Sequence, residues 1–177
     1  MEISNKLKNK ASKIKYFFTD VDGTLTDGGV YYSQAGELLK RFSLRDGTGY
    51  FLLNKVGIKT GIITSENSPI VQQRVNKLKI DEYIFGTCRK VQSLSKFLEN
   101  KNITFEEVAY IGDEINDINL LKKCGLSFCV SDADHRVKKV VDVICNNKGG
   151  YSAFREAVEI LLELKGFDID KIIEDYL

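Results

Sequence analysis

Six short apolar runs separated by stretches of helical periodicity predict an α/β fold, a three-layer sandwich around a mostly parallel sheet. A single interruption adds to this: two β-prone runs flank Ser-Gln-Ala-Gly-Glu and read as a β-hairpin projecting from the layers. Bulk agrees. The 177 residues are 43% hydrophobic and 29% charged, which suits one buried core and one domain over 1–177.

The elements follow in order. Ile14 to Thr19 reads as the first buried strand, and Val30 to Tyr32 and Leu38 to Ser43 as the hairpin arms. Asp46 to Val56 has helical apolar spacing and stops at Gly57, a residue suited to the C′ position. Ile58 to Ile63 is the next strand. Ser68 to Leu78 opens with a serine N-cap and places the only proline, Pro69, at the first helical position. A strand over Tyr83 to Gly86 leads to a helix over Lys90 to Leu98. A strand over Val108 to Gly112 leads to a helix over Ile115 to Lys123, closed by Gly125. Strands over Leu126 to Val130 and Val143 to Cys145 precede a helix over Tyr151 to Leu164. The core spans about 13–165, and 166–177 is expected to be a helical tail. Strand–helix–strand units imply right-handed crossovers. Sheets of this kind bind ligands at the carboxyl ends of their strands, near a switch in strand order. The hairpin, leaving just after the first strand, should overhang that end.

Composition removes several function classes. Lys plus Arg total 26 against 25 Asp plus Glu, a net charge of +1, so neither nucleic acid nor an anionic membrane is an expected partner. Met1 to Lys13 is polar and lysine-rich and lacks a signal-peptide apolar run. No stretch approaches the roughly 20 apolar residues of a membrane span. A cytoplasmic protein is expected, with Cys88, Cys124, Cys129 and Cys145 as buried reduced thiols. His135, the lone histidine, lies in a charged stretch and is expected in solvent.

Two acid clusters carry the chemistry. Phe17-Phe18-Thr19-Asp20-Val21-Asp22-Gly23-Thr24 brings two carboxylates to a strand end, where a glycine turns the chain. Spaced i and i+2, Asp20 and Asp22 share one side if the chain stays extended. Their repulsion calls for a cation or a shared proton. A hard ion such as Mg²⁺ takes oxygen ligands and suits the role. Asp-x-Asp-Gly also opens calcium loops, but Thr24 and Leu25 do not continue that pattern. The second cluster, Gly112-Asp113-Glu114-Ile115-Asn116-Asp117, again ends an apolar strand and enters a helix. Acids there also complement a helix dipole; the coincidence of two clusters points instead to a shared ion. Ile62-Ile63-Thr64-Ser65 offers hydroxyls and turn amides to an anion, and Lys90 offers a point charge to phosphate.

In the order Asp20, Thr64, Lys90, Asp113 the chain resembles the haloacid dehalogenase superfamily phosphatases. Their four motifs match Asp20-Val21-Asp22-Gly23-Thr24, Thr64, Lys90, and Gly112-Asp113 with Asp117. The resemblance implies a Rossmann-like core and a Mg²⁺-dependent phosphomonoesterase. Asp20 would be the nucleophile that becomes an aspartyl-phosphate. Asp22 would act as general acid and then base. The ion would be held by Asp20, the Asp22 carbonyl and Asp113. Thr64, Ser65, Lys90 and Gly23 would bind phosphate, with Asp117 and Asn116 supporting them.

The gaps between motifs are filled by the elements above and leave no room for a cap domain of about 50 residues. Further segments narrow the resemblance to phosphatases of 2-keto-3-deoxy sugar acids. They are Thr26-Asp27-Gly28, the hairpin, Arg45-Asp46-Gly47-x-Gly49, Ser68-x-x-Val71-x-x-Arg74 and Gly149-Gly150-x-x-Ala153-x-Arg155-Glu156. This branch implies a homo-oligomer, a tetramer with sites between subunits, acting on a small sugar acid phosphate. Glu66, Arg74, Lys77 and Arg45 are the implied substrate-binding residues, Arg74 reaching a neighbour's site. Where octulosonate phosphatases read Gly-Arg after the motif threonine, this chain reads Ser65-Glu66. Glu66 with Lys77 leans toward a nine-carbon 9-phosphate of the KDN or sialic-acid type. Arg45-Asp46-Gly47 favours the alternative, 3-deoxy-D-manno-octulosonate 8-phosphate of lipopolysaccharide synthesis. Two rivals are a non-catalytic oligomerisation domain and a receiver-type signalling domain. Asp20, Asp22 and Asp113 together oppose the first, and Asp22 as acid and base has no counterpart in the second.

Overall fold

The computed structural model describes residues 5–174, so residues 1–4 of the lysine-rich start and 175–177 of the expected tail lie outside the described residues. In chain order the elements are α1 (Asn5–Lys13), β1 (Tyr16–Thr19), β2 (Thr26–Ser33), β3 (Gly36–Phe42), α2 (Leu44–Lys55) and β4 (Lys59–Ile63). Next come α3 (Pro69–Leu78), β5 (Glu82–Ile84), α4 (Lys90–Lys101), β6 (Val108–Gly112) and α5 (Ile118–Lys123). The chain continues through β7 (Leu126–Cys129), α6 (His135–Lys138), β8 (Val143–Ile144), α7 (Ala153–Leu164) and α8 (Ile169–Glu174).

Six strands form one sheet in the order β5-β4-β1-β6-β7-β8, every neighbouring pair parallel. β1 is central. Its consecutive residues Phe17 and Phe18 point to opposite faces, as strand alternation requires, and both are fully buried. Phe17 meets Phe154 of α7 edge-on at 5.3 Å, and Phe154 lies 4.4 Å from Tyr50 of α2. Phe18 meets Phe97 of α4 at 5.5 Å. Helices therefore cover both faces, the expected sandwich.

From β1 the chain moves outward to β4 and β5, then returns to β6 on the other side. The crevice between the ends of β1 and β6 is the switch point at which such sheets bind ligands. β2 and β3 form a separate antiparallel sheet, the expected hairpin, with longer arms than the turn residues suggested. It is docked by Arg41, whose Nη1 donates to the Gly150 carbonyl at 2.9 Å and whose guanidinium covers the Tyr151 ring. Tyr31, Tyr32, Leu38 and Leu39 on the hairpin remain exposed.

Several expectations need correction. α1 was not foreseen, because its nine residues bury only Ala11 and carry lysines elsewhere. Its stability comes from docking: Lys165 Nζ donates to the carbonyls of Ala11, Ser12 and Ile14, closing the carboxyl end that otherwise lacks donors. Ser68 occupies the N-cap position of α3, but its hydroxyl goes to Glu37 rather than to the helix. Cys124, Cys129 and Cys145 are buried free thiols as expected, whereas Cys88 is exposed on the loop before α4. His135 lies in solvent.

Candidate active site

The parallel register sets Thr19 beside Ile111, so the residues that follow each strand emerge together. The Asp20 amide donates to the Ile111 carbonyl at 3.0 Å, which fixes its backbone to β6. Asp113 follows Gly112 at the end of β6. Beyond it a 3₁₀ turn over Ile115–Asp117 folds Asp117 back beneath the strand end. Asp117 Oδ2 accepts the amides of Asp113 and Glu114, both at 3.2 Å. Asp20, Asp113 and Asp117 thereby bring carboxylate oxygens within 4.8 Å of one another.

One cation lies among them. Lys90, at the start of α4 and 2% exposed, extends Nζ to 2.5 Å from Asp20 Oδ1 and 2.6 Å from Asp117 Oδ1. The Tyr110 hydroxyl donates to Asp117 Oδ1 at 2.5 Å and accepts from Lys90 at 3.2 Å. Burial alone would lower the lysine, but the charges of Asp20 and Asp117 hold it above its ordinary value, so it stays an ammonium. The acids are less well served. Burial raises Asp20 well above the usual carboxylate range despite Lys90. Burial likewise pushes Asp113 up to about 7, with the charge of Asp117 adding to the rise and the Thr24 hydrogen bond opposing it. Fully ionised, three carboxylates against one ammonium would leave an excess of two negative charges in a poorly solvated place, and the raised values of Asp20 and Asp113 express that cost. The donors are all hard oxygens, so a divalent hard cation fits the cluster.

Asp22 follows two residues later, at the start of the turn after β1. β1 ends at Thr19 and the turn begins at Asp22, so the pair is not carried on a continuing strand. Asp22 Oδ1 pairs with Lys40 Nζ of β3 at 2.6 Å, and Oδ2 is buried with no hydrogen-bond partner. Lys40 also reaches Glu37 Oε1 at 3.1 Å. Burial works against its charge, but hydrogen bonds to Asp22 and Glu37 hold its value above that of a free lysine. Gly23 turns the loop with φ +86°, and a Cβ there would stand 2.1 Å from Asp113 Oδ2. Only glycine meets both conditions. Thr24 completes the loop by donating to Asp113 Oδ1 at 2.8 Å.

The remaining sequence-derived residues divide by position. Thr64 is buried at the end of β4, and its hydroxyl accepts the Glu66 amide at 3.2 Å. Asn116 Nδ2 donates to Ser65 Oγ at 3.2 Å and joins the loops after β4 and β6. Glu66 is exposed at this rim. Arg74 is turned into its own chain: Nη2 donates to the Ser43 carbonyl at 2.8 Å, and the guanidinium lies 5.5 Å from the Phe42 ring. Lys77 sits in the last turn of α3, the end away from the carboxylates, so it does not join the site within one chain. Arg45, in the first turn of α2, borders a surface cleft with Thr48, Arg155 and Glu159.

Sequence reasoning missed Lys40 and Tyr110, and gave Thr24 no role beyond its place in the first motif. Tyr110 carried a usable signal, since a tyrosine inside an otherwise apolar buried strand needs a partner for its hydroxyl. Lys40 carried none: a lysine in a hairpin arm reads as a solvated edge residue.

The haloacid dehalogenase-like hydrolase family model matches residues 63–150. The 3-deoxy-D-manno-octulosonate 8-phosphate phosphatase KdsC of Haemophilus influenzae is 36% identical over 160 residues, 90% of this chain and 89% of that protein. A cobalt-bound structure of the Haemophilus influenzae phosphatase superposes with TM-score 0.87 at 36% identity, covering 93% of this chain and 98% of the other. The Moraxella catarrhalis enzyme, solved with magnesium, phosphate and KDO, reaches TM-score 0.92 at 32% identity, covering 99% of this chain and 100% of the other.

Proposed function

Since the chain belongs to the haloacid dehalogenase-like hydrolases and is a phosphatase, we propose that it hydrolyses 3-deoxy-D-manno-octulosonate 8-phosphate through an aspartyl-phosphate on Asp20. The observation that carries the chemistry is the convergence of Asp20, Asp113 and Asp117 around a single lysine at the switch point. Support for the substrate is the identity with octulosonate phosphatases over nine-tenths of the chain. That support moves the reading from the nine-carbon ester, toward which Glu66 leaned, to the eight-carbon one. Ser65-Glu66 still favours the nine-carbon ester as the second reading.

Asp20, the Asp22 carbonyl and Asp113 would hold Mg²⁺. The ion, when bound, supplies positive charge to the phosphoryl oxygens and offsets their repulsion of the attacking carboxylate. Asp20 attacks phosphorus while the ester oxygen departs with the bonding pair and takes the proton of the Asp22 carboxyl. Asp22, now a carboxylate, removes a proton from water, whose oxygen attacks phosphorus and frees Asp20 and inorganic phosphate. Thr64, Ser65, Gly23 and the Lys90 ammonium hold the phosphoryl oxygens. Asp117 and Tyr110 keep Lys90 in place, and Asn116 steadies Ser65.

The whole of 1–177 acts as one domain, assembled as a tetramer whose hairpins meet through Tyr31, Tyr32, Leu38 and Leu39, all exposed in the single chain. Arg74, Lys77, Arg45 and Glu66 then address the sugar acid at sites between subunits. Among the described residues no helix is long and apolar enough to cross a membrane, in keeping with action in the cytoplasm on a charged metabolite. The test is steady-state kinetics of the purified protein with Mg²⁺ on the octulosonate 8-phosphate and a nine-carbon 9-phosphate. The expected kcat/KM is at least about 10-fold higher for the eight-carbon ester, within the range one pocket contact can discriminate. The reverse ratio restores the nine-carbon reading.

A further inference from the structure

We propose that Lys40 is the positioning residue of the acid–base group: from the hairpin it fastens one oxygen of Asp22 and so sets the orientation of that carboxyl. The inference rests on the role given to Asp22 above. Two facts carry it. The Lys40 side chain is 1% exposed, although it lies on a hairpin whose neighbouring Leu39 and Leu38 face solvent. Burying an ammonium costs heavily unless it is paired and hydrogen-bonded. Lys40 meets that condition by bridging Asp22 Oδ1 at 2.6 Å and Glu37 Oε1 at 3.1 Å. Glu37 in turn accepts the Ser68 hydroxyl, which tethers the pair to the start of α3. Apart from Asp22, the ammonium is thus fixed by Glu37.

Asp22 Oδ2, in contrast, is buried and lacks any hydrogen-bond partner. Buried carboxylate oxygens nearly always find a donor, so the hydrogen bond to Lys40 is the one side-chain contact that orients this carboxyl among the described residues. With Oδ1 held, the carboxyl cannot rotate freely, which fixes the direction in which Asp22 exchanges a proton. Lys40 touches neither substrate nor phosphorus; it acts through Asp22. A lysine that merely filled the hairpin would leave that orientation, and with it proton transfer, untouched.

The test separates these roles by leaving group. Nitrophenolate departs without being protonated, whereas the sugar alkoxide needs the acid. Lys40→Met keeps the apolar stem and removes the charge. It should cost about 100-fold in kcat/KM on the octulosonate 8-phosphate and less than about 3-fold on 4-nitrophenyl phosphate, since positioned proton transfer contributes at least about 100-fold. Lys40→Gln, which keeps a hydrogen-bond donor in the buried position, gives the same ratio to read should methionine unfold the hairpin. In an Asp22→Asn background, Lys40→Met should add no further loss on the sugar ester. Equal losses on both esters, or full additivity with Asp22→Asn, overturn the positioning role alone. A wild-type protein inert toward both esters overturns the proposed function, and this inference with it.

Discussion

Lys90 Nζ stands 2.5 Å from Asp20 Oδ1, so the carboxylate proposed to attack phosphorus is held by a buried cation supplied from the start of α4. The same ammonium binds Asp117 at 2.6 Å, which makes it the one positive charge holding two acids together. Removing one partner of a buried pair costs about 3–5 kcal/mol, because the survivor is left uncompensated. Lys90→Met should lose stability of that order in urea unfolding. Added Mg²⁺ should then raise its Tm by more than that of the wild type, since the ion meets a larger excess of negative charge. Equal Mg²⁺ shifts in the two proteins would mean that the lysine and the ion do not share the cluster.

Gly23 offers a sharper geometric test. A methyl group there would stand 2.1 Å from Asp113 Oδ2 on a backbone at φ +86°. Strain of about 1–2 kcal/mol is expected from the left-handed backbone alone. Displacing Asp113 is the larger effect, as a shift of about 1 Å in a positioned group costs on the order of 100-fold in rate. Gly23→Ala should fold, lose at least that factor in kcat/KM, and need more Mg²⁺ for half-maximal activity. An unchanged Mg²⁺ requirement would argue that Asp113 is not a ligand.

Stability should also depend on pH through a group outside the acid cluster. Asp46, in the first turn of α2, is 2% exposed; Oδ1 accepts the Arg155 amide at 3.0 Å and Oδ2 has no partner. Burial pushes it up to about 6, against the opposing pull of the Arg155 amide and Arg74. The folded form therefore binds a proton more tightly than the unfolded chain, whose value lies near 4. Its contribution is greatest below about pH 4 and is lost as pH rises through about 6, about 3 kcal/mol in all by linkage. Asp46→Asn keeps an acceptor for Arg155 without the charge. Relative to wild type it should gain stability between pH 4 and pH 7 by roughly that amount, measured by urea unfolding at several pH values. A difference that stays flat with pH would place the penalty elsewhere.

What the sequence disclosed follows from where the forces are local. β1, β4, β6 and β7 were legible because strands buried on both faces are apolar at nearly every position, as Phe17 and Phe18 illustrate. α1 was not, since its helix depends on Lys165 from the far end of the chain. Asp20 and Asp113 were readable as strand-end acids, and their meeting follows from the parallel register. The partner of Asp22, Lys40, was hidden by a hairpin docking that no periodicity encodes. Tyr110 shows an intermediate case: its strand was plain, while its hydroxyl's partner Asp117 appears only once the 3₁₀ turn folds back.

The most direct measurement is turnover of 4-nitrophenyl phosphate with Mg²⁺ by Asp20→Asn, an exchange that removes the attacking carboxylate and little else. The expected result is a folded protein, matching the wild type in circular dichroism, with no detectable hydrolysis. A folded Asp20→Asn variant that still turns over the ester in a Mg²⁺-dependent way would contradict covalent transfer to Asp20.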